Sequence, residues 1–297
     1  MNKLNNKKNN SSLKKRIATA LILLPIALFS IFELPVWGFS IFTGIVVAIG
    51  AWEWGPFIGF SKKRLRLSLV AIVIGLMAYL FNHYELYHTT DHILNSAYTE
   101  YALIAAASWW IAALGLVLTY PRSAHGWKSF AWLKGLFGLV TLLPTWIAAI
   151  AIRSHGYESE AITGAWLLLF VFALVWAADI GAYFAGKAFG QHKLMPNVSP
   201  GKTMEGMFGG LVAAFAVVFL VAQTSLLSEL SGIQVSLIAL AVIFSSVLGD
   251  LLESMLKRQA GVKDSGTILP GHGGILDRID SLTAALPIFA FLFFFVS

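Results

Sequence analysis

From Ser254 to Asp280 the chain reads SMLKRQAGVKDSGTILPGHGGILDRID, a run that mixes cations, carboxylates and glycines within an otherwise apolar sequence. Lys257, Arg258, Lys263 and Arg278 are donors suited to phosphate oxygens. Glu253 just upstream, with Asp264, Asp277 and Asp280, offers oxygen ligands for a hard cation. Gly271, Gly273 and Gly274 surround His272 with backbone that can approach a ligand closely. Metal-assisted chemistry on a polyphosphate uses this mixture, because such reactions depend on positioning and on neutralising charge. The chain has no cysteine, which removes thiol nucleophiles, thiolate metal sites and disulfides together. No second histidine or cysteine stands at a metal spacing from His272, so phosphate contact is expected of it rather than zinc ligation.

Three upstream segments extend this chemistry. If 248–258 is helical, Asp250, Ser254 and Arg258 recur every four residues and share one face. Glu253 and Lys257 form a neighbouring stripe, read as a surface ion pair worth about 0.3–0.5 kcal/mol. Asp250, Asp277 and Asp280 are the expected magnesium ligands, since magnesium takes one or two carboxylates together with substrate phosphates and water. Asp277 and Asp280 are expected just before the last membrane helix, where Asp280 or Ser281 can cap it. Ser199, Pro200, Gly201, Lys202 and Thr203 end like a phosphate-binding loop, but Pro196 stands where the first glycine is required and no strand is expected before it. The expectation is instead a helix start capped by Ser199, with Lys202 and Thr203 in its first turn, where backbone N–H groups favour phosphate. Asp179 closes an apolar run, so it must face protein, water or a partner charge such as Lys187.

The run from Ser254 to Asp280 resembles the signature of the phosphatidate cytidylyltransferase family. It matches at Ser254, Leu256, Lys257-Arg258, Lys263-Asp264, Gly266, Leu269-Pro270, His272-Gly273-Gly274 and Asp277-Arg278-Ile279-Asp280. The resemblance implies a membrane enzyme that joins CTP to phosphatidic acid and releases pyrophosphate. Lys257, Arg258, Lys263, His272 and Arg278 would then be catalytic, Asp250, Asp277 and Asp280 metal ligands, and Asp179, Ser199, Lys202, Thr203, Ser254, Gly273 and Gly274 substrate contacts. It further implies a second, monovalent potassium ion and a homodimer. The family carries a similar Ser-Pro-x-Lys-Thr segment, and Met204 departs from the tryptophan common after it.

Composition sets the frame that must hold these residues. With 58% hydrophobic and 12% charged residues and a mean hydropathy of +0.76, the chain is expected to be an all-α polytopic membrane protein. Apolar runs near 17–32, 36–52, 67–81, 102–120, 133–152, 164–185, 207–222, 233–252 and 281–296 predict nine spanning helices and termini on opposite sides. Placing the lysine-rich start in the cytoplasm puts 20 of the 21 basic residues on that side, with Arg153 the exception. The isoelectric point of 9.5 follows from that orientation and from anionic lipid, not from nucleic acid, which is excluded as a partner. Residues 1–12 read as a disordered polar tail, the first helix as an uncleaved anchor, and 13–297 as one membrane domain, suited to a bacterial cytoplasmic membrane. Two other readings fit parts of the pattern. A CTP-dependent lipid kinase of the dolichol or phytol type would share the helical body, and a transporter would share the polar groups among helices.

Overall fold

The computed structural model describes residues 19, 21–87, 91–269, 271 and 273–296. The proposed polar tail and His272 lie outside them. Helix α1, Leu21–Phe32, is followed by eight helices long and apolar enough to span a bilayer. These are α2 (Val36–Ile58), α3 (Lys63–His83), α5 (Ala97–Leu118), α7 (Ala131–Ser154), α8 (Thr163–Phe189), α9 (Met204–Val221), α10 (Gly232–Ala260) and α11 (Leu276–Phe295). Two single-turn helices, α4 (Asp91–Leu94) and α6 (Ala124–Trp127), sit in connections. A two-stranded antiparallel hairpin, β1 (Lys193–Met195) and β2 (Ser199–Thr203), joins α8 to α9. The chain is therefore an all-α polytopic membrane protein with one small strand pair among the described residues.

Local chemistry explains where the long helices begin and end. Ser231 and Gln234 cap the start of α10 reciprocally, and Gly261, at a φ of 71°, closes its end. At about 1.5 Å per residue the 29 residues of α10 exceed the roughly 30 Å hydrocarbon core. Its last turns, which carry Asp250 to Arg258, thus emerge beyond the apolar layer. Helix α2 ends on Gly59 at a φ of 98°.

Helix α7 is the central element: 72% of its most apolar stretch is buried, against 17% for α3 and 22% for α9. Indole groups tie it to its neighbours. Trp146 Nε1 donates to Ser40 O at 2.9 Å, and Trp54 Nε1 to Lys134 O at 3.0 Å. Helices α8 and α9 pack through small residues, so that a side chain on Gly181 or Gly210 would strike the opposing backbone. Gly249 lets α10 approach the Asp280 backbone of α11 in the same way.

At the other end of the bundle Arg153, 2% exposed, gathers three carbonyls. Its Nε donates to Ile31 O at 2.7 Å, Nη1 to Ala161 O at 2.9 Å and Nη2 to Leu34 O at 3.3 Å, while its guanidinium lies over Tyr157. The basic residue that stood apart in the charge pattern thus joins the end of α1 to both ends of the α7–α8 connection.

Two expectations need correction. Ser199 to Thr203 form a strand, not a helix start, and the cap of α9 is Thr203, whose hydroxyl accepts from Gly206 N at 3.1 Å. The strand forms because Ser199 and Thr203 pair with Met195 and Lys193. Asp277 and Asp280 lie inside α11 rather than before it, because that helix begins at Leu276.

Candidate functional site

Alternation of the spans brings the end of α2, the end of α8, the β1–β2 hairpin, the end of α10 and the start of α11 to one face. Lys202 on β2 reaches Asp250 on α10, with Nζ 2.7 Å from Oδ2. Ser254, one turn further along α10, donates its hydroxyl to Asp250 Oδ1 at 3.2 Å. Another turn on, Arg258 Nε donates to Val198 O of the hairpin at 3.3 Å. The three residues expected to share a face do share it, and the hairpin is docked upon them.

The second half of the site surrounds Lys257. Its Nζ stands 2.8 Å from Glu253 Oε2 and 2.6 Å from Asp277 Oδ1. Asp277 Oδ2 accepts Ser265 N at 2.9 Å, Ser265 Oγ at 2.9 Å and Gly274 N at 2.8 Å. The side chains of Lys257, Glu253 and Asp277 are 12%, 4% and 5% exposed. Glu253 is thus a buried partner in a three-membered charge cluster, and the surface ion pair expected for it is corrected. Its Oε1 is buried, and its carboxyl meets that of Asp280. Asp280 faces the same cluster, with Glu253, Asp250 and Lys257 acting on its carboxyl, and accepts Ser281 N at 2.8 Å.

Positive φ and close packing explain two signature glycines. Gly273 has a φ of 84°, and a side chain there would run into Asp277 and Asp264. A side chain on Gly274 would enter the space taken by Ser265 and Glu53. Lys263 and Arg278 are exposed, and neither pairs with a carboxylate among the described residues.

Beside the Lys202–Asp250 pair a cavity of about 370 Å³ opens between α8, α9, α10 and the hairpin, within the usual size range of small-molecule sites. Asp179, Tyr183, Lys187, Lys202 and Thr203 line its polar part; Ile243, Val247 and Met207 line its apolar part. Asp179 is exposed into this space and is acted on by Lys202, Asp250 and Arg278. The Lys187 ammonium lies 5.8 Å from the Tyr183 ring centroid instead of pairing with Asp179. Ser199 is half-buried at the start of β2, paired with Met195.

Asp250, Glu253, Asp277 and Asp280 are all oxygen donors, the kind a hard cation such as magnesium accepts. Among the described residues no three acidic or histidine side chains stand close enough together to hold an ion unaided.

Three residues of this cluster carry more than the sequence reading assigned them. Glu253 was expected to pair only at the surface, and Glu53 and Ser265 were given no role. For Glu53 the signal was a lone carboxylate within the apolar run AWEWGPF, a position where an ionisable group is costly without a purpose. For Ser265 no comparable signal exists, since its neighbours emerge only from the folded loop.

Fold and site together define a multi-pass membrane protein with a cation and carboxylate centre at one face. A profile of the cytidylyltransferase family matches residues 14–296, and the chain belongs to that family. Among its relatives, the phosphatidate cytidylyltransferase of Haemophilus influenzae is 40% identical over 287 residues, covering 96% of this chain and 99% of that one. The phosphatidate cytidylyltransferase of Pseudomonas aeruginosa is 44% identical over 280 residues, 94% and 96% of the two chains. That of Staphylococcus saprophyticus is 33% identical over 255 residues, 76% and 96% respectively.

Proposed function

We propose that this chain is a phosphatidate cytidylyltransferase, converting CTP and phosphatidic acid to CDP-diacylglycerol and pyrophosphate for phospholipid synthesis. The observation that carries the reading is the convergence of Lys202, Asp250, Lys257 and Asp277 at the membrane face where the signature loop stands. The relatives bearing that activity in their names support it. The lysine-rich start and the site face the cytoplasm, and the C-terminus ends on the opposite side, as the distribution of basic residues favours.

A phosphate oxygen of phosphatidic acid attacks the α-phosphorus of CTP. The bond from that phosphorus to the bridging oxygen breaks, and pyrophosphate leaves with the electron pair. The attacking group is already largely ionised at neutral pH, with a second pKa of about 6, so no general base is required. Asp250, Asp277 and Asp280 would hold magnesium, which supplies charge neutralisation on the phosphates when bound. Lys202 and Lys257, which neutralise Asp250 and Asp277 in the structure, can pass to phosphate oxygens. Lys263 and Arg278 stand exposed to clamp the same anion, Arg258 completes the cationic set, and His272 would contact phosphate. Asp179, Ser199, Thr203, Ser254, Gly273 and Gly274 shape the substrate surface. The resemblance to the family adds a potassium ion as second cation and a homodimer to the proposal.

The test supplies membranes containing the protein with phosphatidic acid, magnesium and CTP labelled either in cytosine or in the γ-phosphate. Cytosine label entering the lipid with release of pyrophosphate is expected. Lipid labelled only from the γ-phosphate would make the protein a kinase. Solute uptake without lipid product would make it a transporter.

A further inference from the structure

We infer that Glu53, on α2, is a positioning residue that fixes the signature loop and the start of α11. The inference rests on the reading of that loop as the reaction site. Glu53 is 2% exposed, and its Oε2 accepts Leu276 N at 2.7 Å and Ser265 Oγ at 3.3 Å. Leu276 is the first residue of α11, and Ile275 before it supplies no side-chain cap. Glu53 therefore takes the place of a cap from a position 223 residues earlier in the chain. A carboxylate suits that place because the amino end of a helix carries unpaired N–H groups and positive partial charge.

The link continues into the charge cluster. Ser265 gives both its N–H and its hydroxyl to Asp277 Oδ2, and Asp277 Oδ1 meets Lys257. A hydroxyl has one proton, so Ser265 Oγ divides it between Glu53 and the nearer Asp277. The anchor and the cluster are thus coupled through a single donor. The loop is also shaped around Glu53. Side chains on Gly266 or Gly274, both positions of the signature, would occupy the space of its carboxylate. Glu53 itself stands behind the loop and acts on the reacting groups through Leu276 and Ser265.

Three variants in the full-length protein test this: Glu53→Asp, which keeps the charge but withdraws it by one methylene, Glu53→Gln, which keeps an acceptor at the same reach, and Ser265→Ala. Each is purified and its assembly checked by size exclusion. Amide hydrogen exchange over 261–276 and over α8–α9, and kcat and KM for CTP, are then measured. Glu53→Asp is expected to speed exchange at least about tenfold in 261–276 alone and to lower kcat about 10–100-fold, the range for residues that orient reacting groups. KM for CTP should shift less than about threefold, and Glu53→Gln should stay closer to the parent in both readouts. In the double variant the losses from Glu53→Asp and Ser265→Ala should not multiply, since they act on one contact. Unchanged exchange in Glu53→Asp, unchanged kcat, or independent multiplication of the two losses would each overturn the inference. If the parent protein forms no cytidine-linked lipid, the proposed function fails, while the exchange measurement still decides the role of Glu53.

Discussion

Replacing Lys257 by methionine isolates the charge balance on which the site depends. Among the described residues Lys257 is the sole donor to the Glu253 carboxylate, whereas Asp277 keeps three donors from Ser265 and Gly274 without it. The cost of Lys257→Met therefore falls on Glu253, whose buried carboxyl loses that donor. Removing one member of a buried pair costs about 3–5 kcal/mol, and these side chains are only 12% and 4% exposed. At about 2–4 °C per kcal/mol for a chain of this order of size, the melting temperature in detergent should fall by about 6–20 °C. Glu253→Gln alone leaves the Lys257–Asp277 pair intact and should cost about 1 kcal/mol. The double variant Lys257→Met with Glu253→Gln removes the stranded carboxyl, so it should recover roughly half of the loss seen in Lys257→Met. Turnover should remain absent in both Lys257 variants, because the phosphate donor is missing in each. A double variant that melts no higher than Lys257→Met would refute this account, as would Glu253→Gln proving equally damaging.

Further outcomes follow from neighbouring contacts. Asp250→Asn should abolish magnesium-dependent turnover while preserving membrane insertion, and chelation of magnesium should do the same to the parent protein reversibly; undiminished activity in Asp250→Asn would remove it from the metal set. Gly274→Ala, whose side chain would enter the space of Glu53 and Ser265, should cost at least about tenfold in turnover, read against Gly261→Ala. That second substitution meets no atoms and bears only the left-handed strain of its φ of 71°, about 1 kcal/mol. Arg153→Leu strands three carbonyls at the far end of the bundle. It should lower the melting temperature through a loss of about 3 kcal/mol while leaving KM for CTP unchanged.

Hydropathy alone located every described span to within a few residues at most ends, because a stretch without charge of that length has few other uses. The larger departures are informative. Helix α10 runs to Ala260 rather than ending near 252, since its later turns leave the apolar layer and no longer need to be apolar. The alignment of Asp250, Ser254 and Arg258 was legible from a four-residue spacing, and Lys202 was singled out as a cation that the structure places on the cavity wall. Its pairing with Asp250 was not, because that contact joins two segments brought together only by the hairpin. The hairpin itself was missed because Pro200 and Thr203 suggest a helix start as readily as a short strand, and pairing with Lys193 to Met195 decided between them. Glu253 resembled an ordinary i,i+4 surface pair, since burial by α11 leaves no mark on its local sequence. Glu53 was marked by its place in an apolar run, but its partners were illegible, because they lie more than two hundred residues away.

That separation has a consequence for how the protein is made. Glu53 leaves the ribosome 223 residues before Leu276, and the Asp277 that locks Lys257 follows with α11. Until then the lysine and carboxylates of α10 have no loop fastened over them, and the first half of the chain holds an anchor with nothing to grip. The catalytic centre is thus a closure formed only once α11 has been made. A chain broken off before α11 lacks Leu276 and Asp277, and with them the fastening of the loop to Glu53 and Lys257.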